Sequence, residues 1–322
     1  MRRSSGRRGG NPIENIKVFS GSSHPELAAE MCRHLDVALS PSHHRRFSND
    51  NLEVQLGESV RERDVYIVQT FSPPVQEHLV ELLMMCDAAR SASARRVTAV
   101  VPYYSYARSD KKDKPRISIA GRLFADLMHT AGVSRLLTMT LHAEQVHGFF
   151  SMPADQLTAQ PVLVDHFGMR ERADTVVVTP DVGNAKRASQ FARKLGLPLA
   201  AGNKRRVADD MVEIEDIVGN VEGRHAIVFD DEIANAGTIV ETVKLLRKRG
   251  VTGVTVACTH GVFSGPAIER LRQLDVHEII TTNTVTIPPE KRLPNMSVLS
   301  VAPIFGEAIR RINSGESVSA IF

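Results

Sequence analysis

No stretch of this 322-residue chain approaches the roughly 18 consecutive apolar residues that a membrane-spanning helix requires. A helical membrane protein is therefore excluded, and a soluble chain with no membrane partner is expected. Cysteine is scarce as well. Cys32, Cys86 and Cys258 lie far apart and form no CxxC pair, which excludes zinc-ribbon and dithiol redox spacing. The odd count, together with the lack of an apolar leader segment, points to a reduced cytoplasmic protein. Cys258 stands in the apolar run VTVACTH and reads as a small buried hydrophobe. A charge bias is missing too. The net charge of +3 comes from the opening MRRSSGRRGG, which holds four arginines and no acid; without them 36 basic residues face 37 acidic ones. Residues 1–12 are expected to be a disordered basic tail, with a targeting or RNA-contacting role as the lesser reading. The near-neutral body argues against a nucleic-acid partner.

What is present is alternation. Short β-branched runs at 16–19, 65–70, 97–102 and 136–140 read as strands, and the same grammar resumes at 175–179, 198–201, 226–229, 253–259 and 278–281. Amphipathic stretches lie between them at 25–39, 77–89, 117–130, 186–195, 239–249 and 265–274. Continuous apolar strands separated by helices predict an α/β chain whose parallel sheets are covered on both faces. The layout runs twice, so a domain duplication is expected, with a boundary near 155–161 where MPADQLTAQP carries turn formers and two prolines. Ligands of such sheets bind beyond the C-terminal ends of the strands.

The chemistry-bearing segments follow candidate strands. In AIVFDDEIANAGTIVET, Asp230 and Asp231 end an apolar strand, and Asn235, Ala236, Gly237 and Thr238 lead into a helix. Paired carboxylates suit the vicinal hydroxyls of a sugar, and small residues at a helix start leave N–H groups for a phosphate. Alone, the same residues also suit a plain helix cap. In TPDVGNAKRA, Asp181, Val182, Gly183 and Asn184 form a strand-to-helix turn, and Lys186 and Arg187 stand in the first helical turn against the macrodipole. That placement makes sense with an anion nearby, although a solvated turn is the alternative. The run PYYSYARSDKKDKPR lacks an apolar period and reads as a mobile loop able to close over a triphosphate, or as a solvated one. His142 in TLHAEQVHGFF follows a strand, where it suits a metal or phosphate as well as a structural role. Lys204 and Arg206 in AAGNKRR are the residue types that stabilise charge on a transferring phosphoryl group.

Taken in order, these segments resemble the ribose-phosphate pyrophosphokinase family from about Ile16 to the C-terminus. The resemblance is carried by IKVFSGSSHPELA, GESVRERDVYIVQ, SARRVTAVVPYYSYARSDKKDK, HGFFSMP, PDVGNAKR, FDDEIANAGT, THGVFSGPA, TTNTV and AIRRINSGESVS. It implies two tandem phosphoribosyltransferase-type domains, each a mostly parallel sheet flanked by helices. The first would span 13–158, joined by the C-terminal segment 303–322, and would carry the ATP loop and oligomer contacts. The second would span 159–302 and carry the ribose 5-phosphate and pyrophosphate loops. The implied reaction moves the β,γ-diphosphoryl group of ATP to the 1-hydroxyl of ribose 5-phosphate with Mg²⁺, giving 5-phosphoribosyl 1-diphosphate and AMP.

By the same resemblance Lys204 and Arg206 are catalytic, and Phe47, Asn49, Arg108, Ser109, Asp110 and His142 contact ATP, the first two from a neighbouring subunit. Asp230, Asp231, Asn235, Ala236, Gly237 and Thr238 bind ribose 5-phosphate. Asp181, Val182, Gly183 and Asn184 form the pyrophosphate loop, and His142 and Asp181 associate with the metal. Phosphate and ADP are the implied effectors, at positions that include Ser59, Arg61, Asp155, Ser317 and Ser319, in a homo-oligomer expected to be a hexamer. The chain departs from the commoner family pattern at Thr140, where Asp is usual, at Ala234 and Asn235, where Asp-Thr is usual, at Asn51, usually acidic, and at Ser109, usually Gln. His147 and Gln156 differ as well, at positions tied to regulation. These departures support a second reading, a catalytically weak regulatory subunit. A phosphoribosyltransferase that consumes the diphosphate product is a third, but it needs neither the ATP loop nor a second anion-binding half.

Overall fold

The computed structural model describes residues 15–168, 174–208 and 211–321, with the side chains of 204–208 and 211–215 outside that set. The expected basic tail at 1–12 lies outside the described residues. The chain divides into two units, Met1–Leu157 with Ala302–Phe322, and Thr158–Val301.

The first unit opens with β1 (Ile16–Ser20), α1 (Pro25–Leu35) and the short β2 (Leu39–Ser40). A two-stranded antiparallel hairpin follows, β3 (Ser42–Arg46) and β4 (Leu52–Leu56). Then come β5 (Asp64–Val68), α2 (Val75–Ser91), β6 (Arg96–Val101), α3 (Ala120–Thr130), β7 (Arg135–Met139) and β8 (Ala154–Leu157). The sheet runs β2-β1-β5-β6-β7-β8, and every neighbouring pair is parallel. The DVYIV of β5 is buried throughout, as a strand covered on both faces must be. Helix α1 is shorter than its apolar pattern predicts. Asp36 adopts φ 54° and donates its N–H back to Arg33 and Cys32, a left-handed cap that frees Leu39 for the sheet edge. Helix α3 starts three residues later than its pattern predicts, because Ser109 Oγ accepts the Ala120 N–H at 3.1 Å and fixes the entry.

The second unit contains α4 (Gln160–Gly168), β9 (Thr175–Thr179), α5 (Ala185–Leu195), β10 (Leu199–Ala208), β11 (Met211–Val218) and β12 (His225–Ile233). It continues with α6 (Gly237–Lys248), β13 (Gly253–Gly261), α7 (Ala267–Arg272), β14 (Glu278–Thr282) and β15 (Met296–Leu299). Its sheet runs β11-β10-β9-β12-β13-β14-β15, parallel except for the β10–β11 pair. Phe191 of α5 stacks on Phe229 of β12 with ring centroids 4.4 Å apart, locking helix to sheet directly under the strand ends.

The last helix, α8 (Ala302–Ser314), belongs to the first unit and packs on α1. Gly306 permits that approach: a Cβ there would meet His34 Cβ at 2.9 Å. The segment expected as a turn-rich boundary spans the division between Leu157 and Thr158 and consists of β8 and the start of α4, separated only by Thr158 and Ala159. Its prolines mislead because Pro161 sits at the second position of a helix, where no N–H partner is needed. No helix among the described residues is long and apolar enough to cross a membrane. All three cysteines are buried, and burial pushes the Cys258 thiol up to about 12, so it is a packing residue.

Candidate active site

In the second unit the two strongest sequence motifs meet. Strands β9 and β12 are parallel neighbours, so the segments that follow Thr179 and those around Asp230 lie at the same end of the sheet. After β9, Asp181 accepts the Gly183 N–H at 2.7 Å and Asn184 closes the turn onto the Asp181 carbonyl at 3.0 Å. Asn184 then donates its amide to Asp230 Oδ1 at 3.3 Å, and Arg187 Nη1 stands 3.7 Å from Asp231 Oδ2. A cation in the first turn of α5 opposes the helix dipole; here a carboxylate compensates it. Asp231 is buried, 4% exposed, and Asp230 is half-buried. Asn184 Oδ1 is buried with no hydrogen-bond partner, an acceptor left unmet beside the acid pair.

The sequence places the acid pair at a strand tip, but the structure places it inside β12. The strand continues to Ile233 because β13 runs on to Gly261 and pairs with it, Glu232 opposite His260 and Ile233 opposite Gly261. Beyond it, Asn235, Ala236, Gly237 and Thr238 make the turn into α6. Ala236 adopts a left-handed φ of 61°, and Asn235 Oδ1 accepts the Gly237 N–H at 3.0 Å. The first-turn N–H groups of a helix have no partner within it, so this turn offers donors to an anion.

Lys204 and Arg206 do not follow a short strand; they lie within the ten-residue β10. It leaves β9 after Ala201, which pairs with Thr179, and continues as a hairpin in which Lys204 faces Ile214 and Arg206 faces Val212 in register. Their backbone is thus carried past the end of β9; their side chains lie outside the described residues. Sequence inspection missed this hairpin, although Val212, Glu213, Ile214 and Glu215 alternate as a strand should.

In the first unit, Arg108, Ser109 and Asp110 follow β6 and His142 follows β7, and these strands are adjacent. Arg108 and His142 are exposed, and Asp110 takes a hydrogen bond from Gln145, tying the two loops together. Ser109 also fixes the entry of α3, its Oγ accepting the Ala120 N–H at 3.1 Å and its carbonyl the Gly121 N–H at 3.0 Å. Thr140, between β7 and His142, holds φ 44°, a strained value for a β-branched residue.

Phe47 and Asn49 occupy the tip of the β3–β4 hairpin. Phe47 is 38% exposed, with the Arg45 guanidinium 4.7 Å from its ring centre, and Asn49 Oδ1 accepts the Asn51 N–H at 3.3 Å. The hairpin is tied to α2 by Arg46 with Glu77 and by His44 Nδ1 with the buried Glu81 at 2.9 Å. Ser22 donates both N–H and hydroxyl to Glu81 at 2.6 Å, and His44 Nε2 meets Ser42 Oγ at 3.0 Å. The hydrogen bond to Glu81 holds the His44 imidazole above its ordinary value of 6.5. Burial pushes Glu81 upward, but His44 and Ser22 outweigh it and hold the carboxyl below 4.5. A raised imidazole contributes below pH 6.5 and loses that contribution as pH rises through its folded value. A lowered carboxyl contributes above 4.5 and loses it as pH falls. Hairpin amides should therefore be best protected from exchange between about pH 4.5 and 6.5. Hydrogen exchange, corrected for intrinsic rates, checks this; equal protection at pH 5.5 and 8.5 contradicts it.

Of the remaining sequence-selected positions, Ser59, Arg61, Ser317 and Ser319 are exposed, and Asp155 pairs with Arg135. Arg61 reaches Ser93 Oγ at 3.4 Å, and Arg311 donates to the Ser317 carbonyl at 3.1 Å. No hydrogen bond or ion pair joins one of these five to another among the described residues.

Comparison with known proteins agrees over about 95% of the chain. Residues 16–132 match the model of the N-terminal domain of ribose phosphate pyrophosphokinase, and residues 213–322 match the phosphoribosyl synthetase-associated domain. A Deinococcus radiodurans ribose-phosphate pyrophosphokinase is 53% identical, covering 95% of this chain and 98% of its own. A Streptomyces coelicolor protein provisionally named for the same activity is 56% identical over 96% of this chain and 98% of its own. The crystal structure of phosphoribosylpyrophosphate synthetase from Mycobacterium smegmatis superposes with a TM-score of 0.88 at 41% identity, covering 94% of this chain and 99% of that one. With a relative 53% identical over 95% of the chain and a solved structure matching 94% of it, the chain belongs to the ribose-phosphate pyrophosphokinase family.

Proposed function

We propose that the chain transfers the β,γ-diphosphoryl group of ATP to the 1-hydroxyl of ribose 5-phosphate, releasing AMP, and that it does so through the residues described above. The observation that carries this reading is the meeting of Asn184 and Arg187 with the Asp230–Asp231 pair. A turn suited to pyrophosphate thereby adjoins carboxylates suited to ribose hydroxyls. The 235–238 turn takes the 5-phosphate, and the 181–184 turn receives the diphosphate on C1. Arg108, Ser109, Asp110 and His142 contact ATP, and Phe47 and Asn49 serve the adenine of a neighbouring copy in a homo-oligomer, which we take to be a hexamer. Ser59, Arg61, Asp155, Ser317 and Ser319 belong to effector binding, with phosphate and ADP as the ligands.

The donor set fits Mg²⁺. Asp181, Asp230, Asp231 and the unmet Asn184 Oδ1 are hard oxygens. Mg²⁺ is held in that manner, through one or two carboxylates plus substrate oxygens and water. Asp181 would hold it in this unit, with Asp230 and Asp231 holding the ribose hydroxyls through it or directly, and His142 is the metal-associated residue of the other. When bound it supplies charge neutralisation on the phosphates. The 1-hydroxyl attacks the β-phosphorus in line and the bond to the α-phosphate oxygen breaks. Asp230 and Asp231 orient the ribose, and Lys204 and Arg206 offset charge on the transferring group. Positioning and charge offset dominate such transfers, so no side chain is assigned as a dedicated base.

A regulatory, non-turning-over subunit is not favoured: the similarity to named pyrophosphokinases spans 95% of the chain, and the carboxylates remain. Metal removal tests the reading. Chelation should abolish ribose 5-phosphate-dependent AMP formation, and added Mg²⁺ should restore it. AMP formation that persists in excess chelator removes the metal from the account.

A further inference from the structure

The THGVFSGPA stretch is specific in sequence, yet neither it nor the helix after it has a task in the proposed reaction. The structure sets them against the 235–238 turn. Val262 and Phe263 each donate a backbone N–H to the Ile233 carbonyl at 3.1 Å, and Ser264 donates to the Ala234 carbonyl at 2.9 Å. Arg270 Nη1 then donates to the Asn235 carbonyl at 2.9 Å. Three successive carbonyls are thus tied by one segment. Phe263 holds a left-handed φ of 45° to do so, and Lys291 Nζ anchors its carbonyl at 3.0 Å.

We propose that Arg270 is a positioning residue for the ribose 5-phosphate: it fixes the 235–238 turn and supplies the positive charge that the turn lacks. This inference rests on the assignment of that turn to the 5-phosphate. Between His225 and Lys244 the sequence contains Asp230, Asp231, Glu232 and Glu241 and no Lys, Arg or His. That segment itself offers a phosphate dianion no cation, and helix-start amides alone offset only about half a unit charge. Arg270 is the cation hydrogen-bonded to the turn. Its Nη1 lies 3.5 Å from where a Cβ on Gly237 would stand, and Asn235 Oδ1 lies 3.3 Å from the same point. The Cα face of Gly237 therefore has both a guanidinium and a carboxamide within contact distance of a side chain placed there. Because Asn235 Oδ1 already occupies the Gly237 N–H, a phosphate oxygen must compete with a neutral acceptor for that donor. A half-buried guanidinium beside it favours the charged competitor, since hydrogen bonds to ionised groups are roughly twice as strong as neutral ones.

The test compares KM values for ribose 5-phosphate and for ATP in the full chain, the Arg270→Met and Arg270→Lys variants, and Gly237→Val, which fills that Cα face. Arg270→Met should raise the ribose 5-phosphate KM by about 10- to 100-fold, as loss of a charge-assisted contact does. The ATP KM and kcat should stay within about threefold, and Arg270→Lys should recover part of the loss. Gly237→Val should raise the same KM. If Gly237→Val raises it and Arg270→Met does not, Arg270 is idle and the inference is overturned while the turn assignment stands. If neither variant moves it, the assignment itself fails. Equal rises in both KM values, with a lower melting temperature and no recovery by Lys, reduce Arg270 to a structural prop and also overturn the inference. Should Arg270→Met not fold, Arg270→Gln carries the same comparison.

Discussion

Replacing Lys204 with Ala is expected to lower kcat by about 10²- to 10³-fold, the scale set by removing one preorganised donor from a developing charge. The fold should survive. Lys204 contributes its backbone to the β10–β11 ladder opposite Ile214, and Ala makes the same backbone hydrogen bonds. Strand β10 runs parallel to β9 as far as Ala201, so its continuation passes the end of β9 in the direction of the Asp181 turn. A compact ammonium is the group suited to the oxygens of a transferring diphosphoryl group. Measured by AMP release under saturating substrates, with circular dichroism as the control for folding, a near-normal kcat would place Lys204 away from the reacting phosphorus.

Asp231→Asn should act on binding instead. The side chain is 4% exposed and stands 3.7 Å from Arg187 Nη1, so the amide fits the space but removes the charge that opposes the guanidinium. The apparent affinity for ribose 5-phosphate should weaken by at least about tenfold, the cost of losing one charged contact, with Mg²⁺ dependence shifted to higher concentration. Titration of both ligands checks this. Unchanged affinity for the sugar phosphate and for the metal would take Asp231 out of the site and leave it as a partner for Arg187 alone.

Much of this was legible in the sequence because a parallel sheet writes itself plainly. Runs such as DVYIV and TVVVT are apolar throughout, and each chemistry-bearing segment comes just after one. What was hidden obeys other rules. The strands of the β3–β4 hairpin, SHHRR and LEVQL, face solvent on much of their surface and carry no apolar run. The sequence predicts only 198–201 as strand because residues 202–206 are polar; pairing with β11, not burial, extends β10. The acid pair looked terminal because charge follows FD in the sequence, yet ladder bonds to β13 carry the strand three residues further than Asp230. Arg187 was legible only as a cation in an awkward place, and its partner Asp231 is 44 residues away in the chain. Arg270 gave no signal at all: its contact is to the carbonyl of Asn235, and backbone acceptors leave no trace in residue type.

The most direct test of the central claim is product identity. Purified protein is incubated with ATP, Mg²⁺ and ribose 5-phosphate, with and without phosphate, and the nucleotide and sugar products are identified by mass. The account predicts AMP and 5-phosphoribosyl 1-diphosphate in equal amounts, formed only when ribose 5-phosphate is present. Formation of ADP with a singly phosphorylated product, or binding of both substrates without turnover, would contradict it.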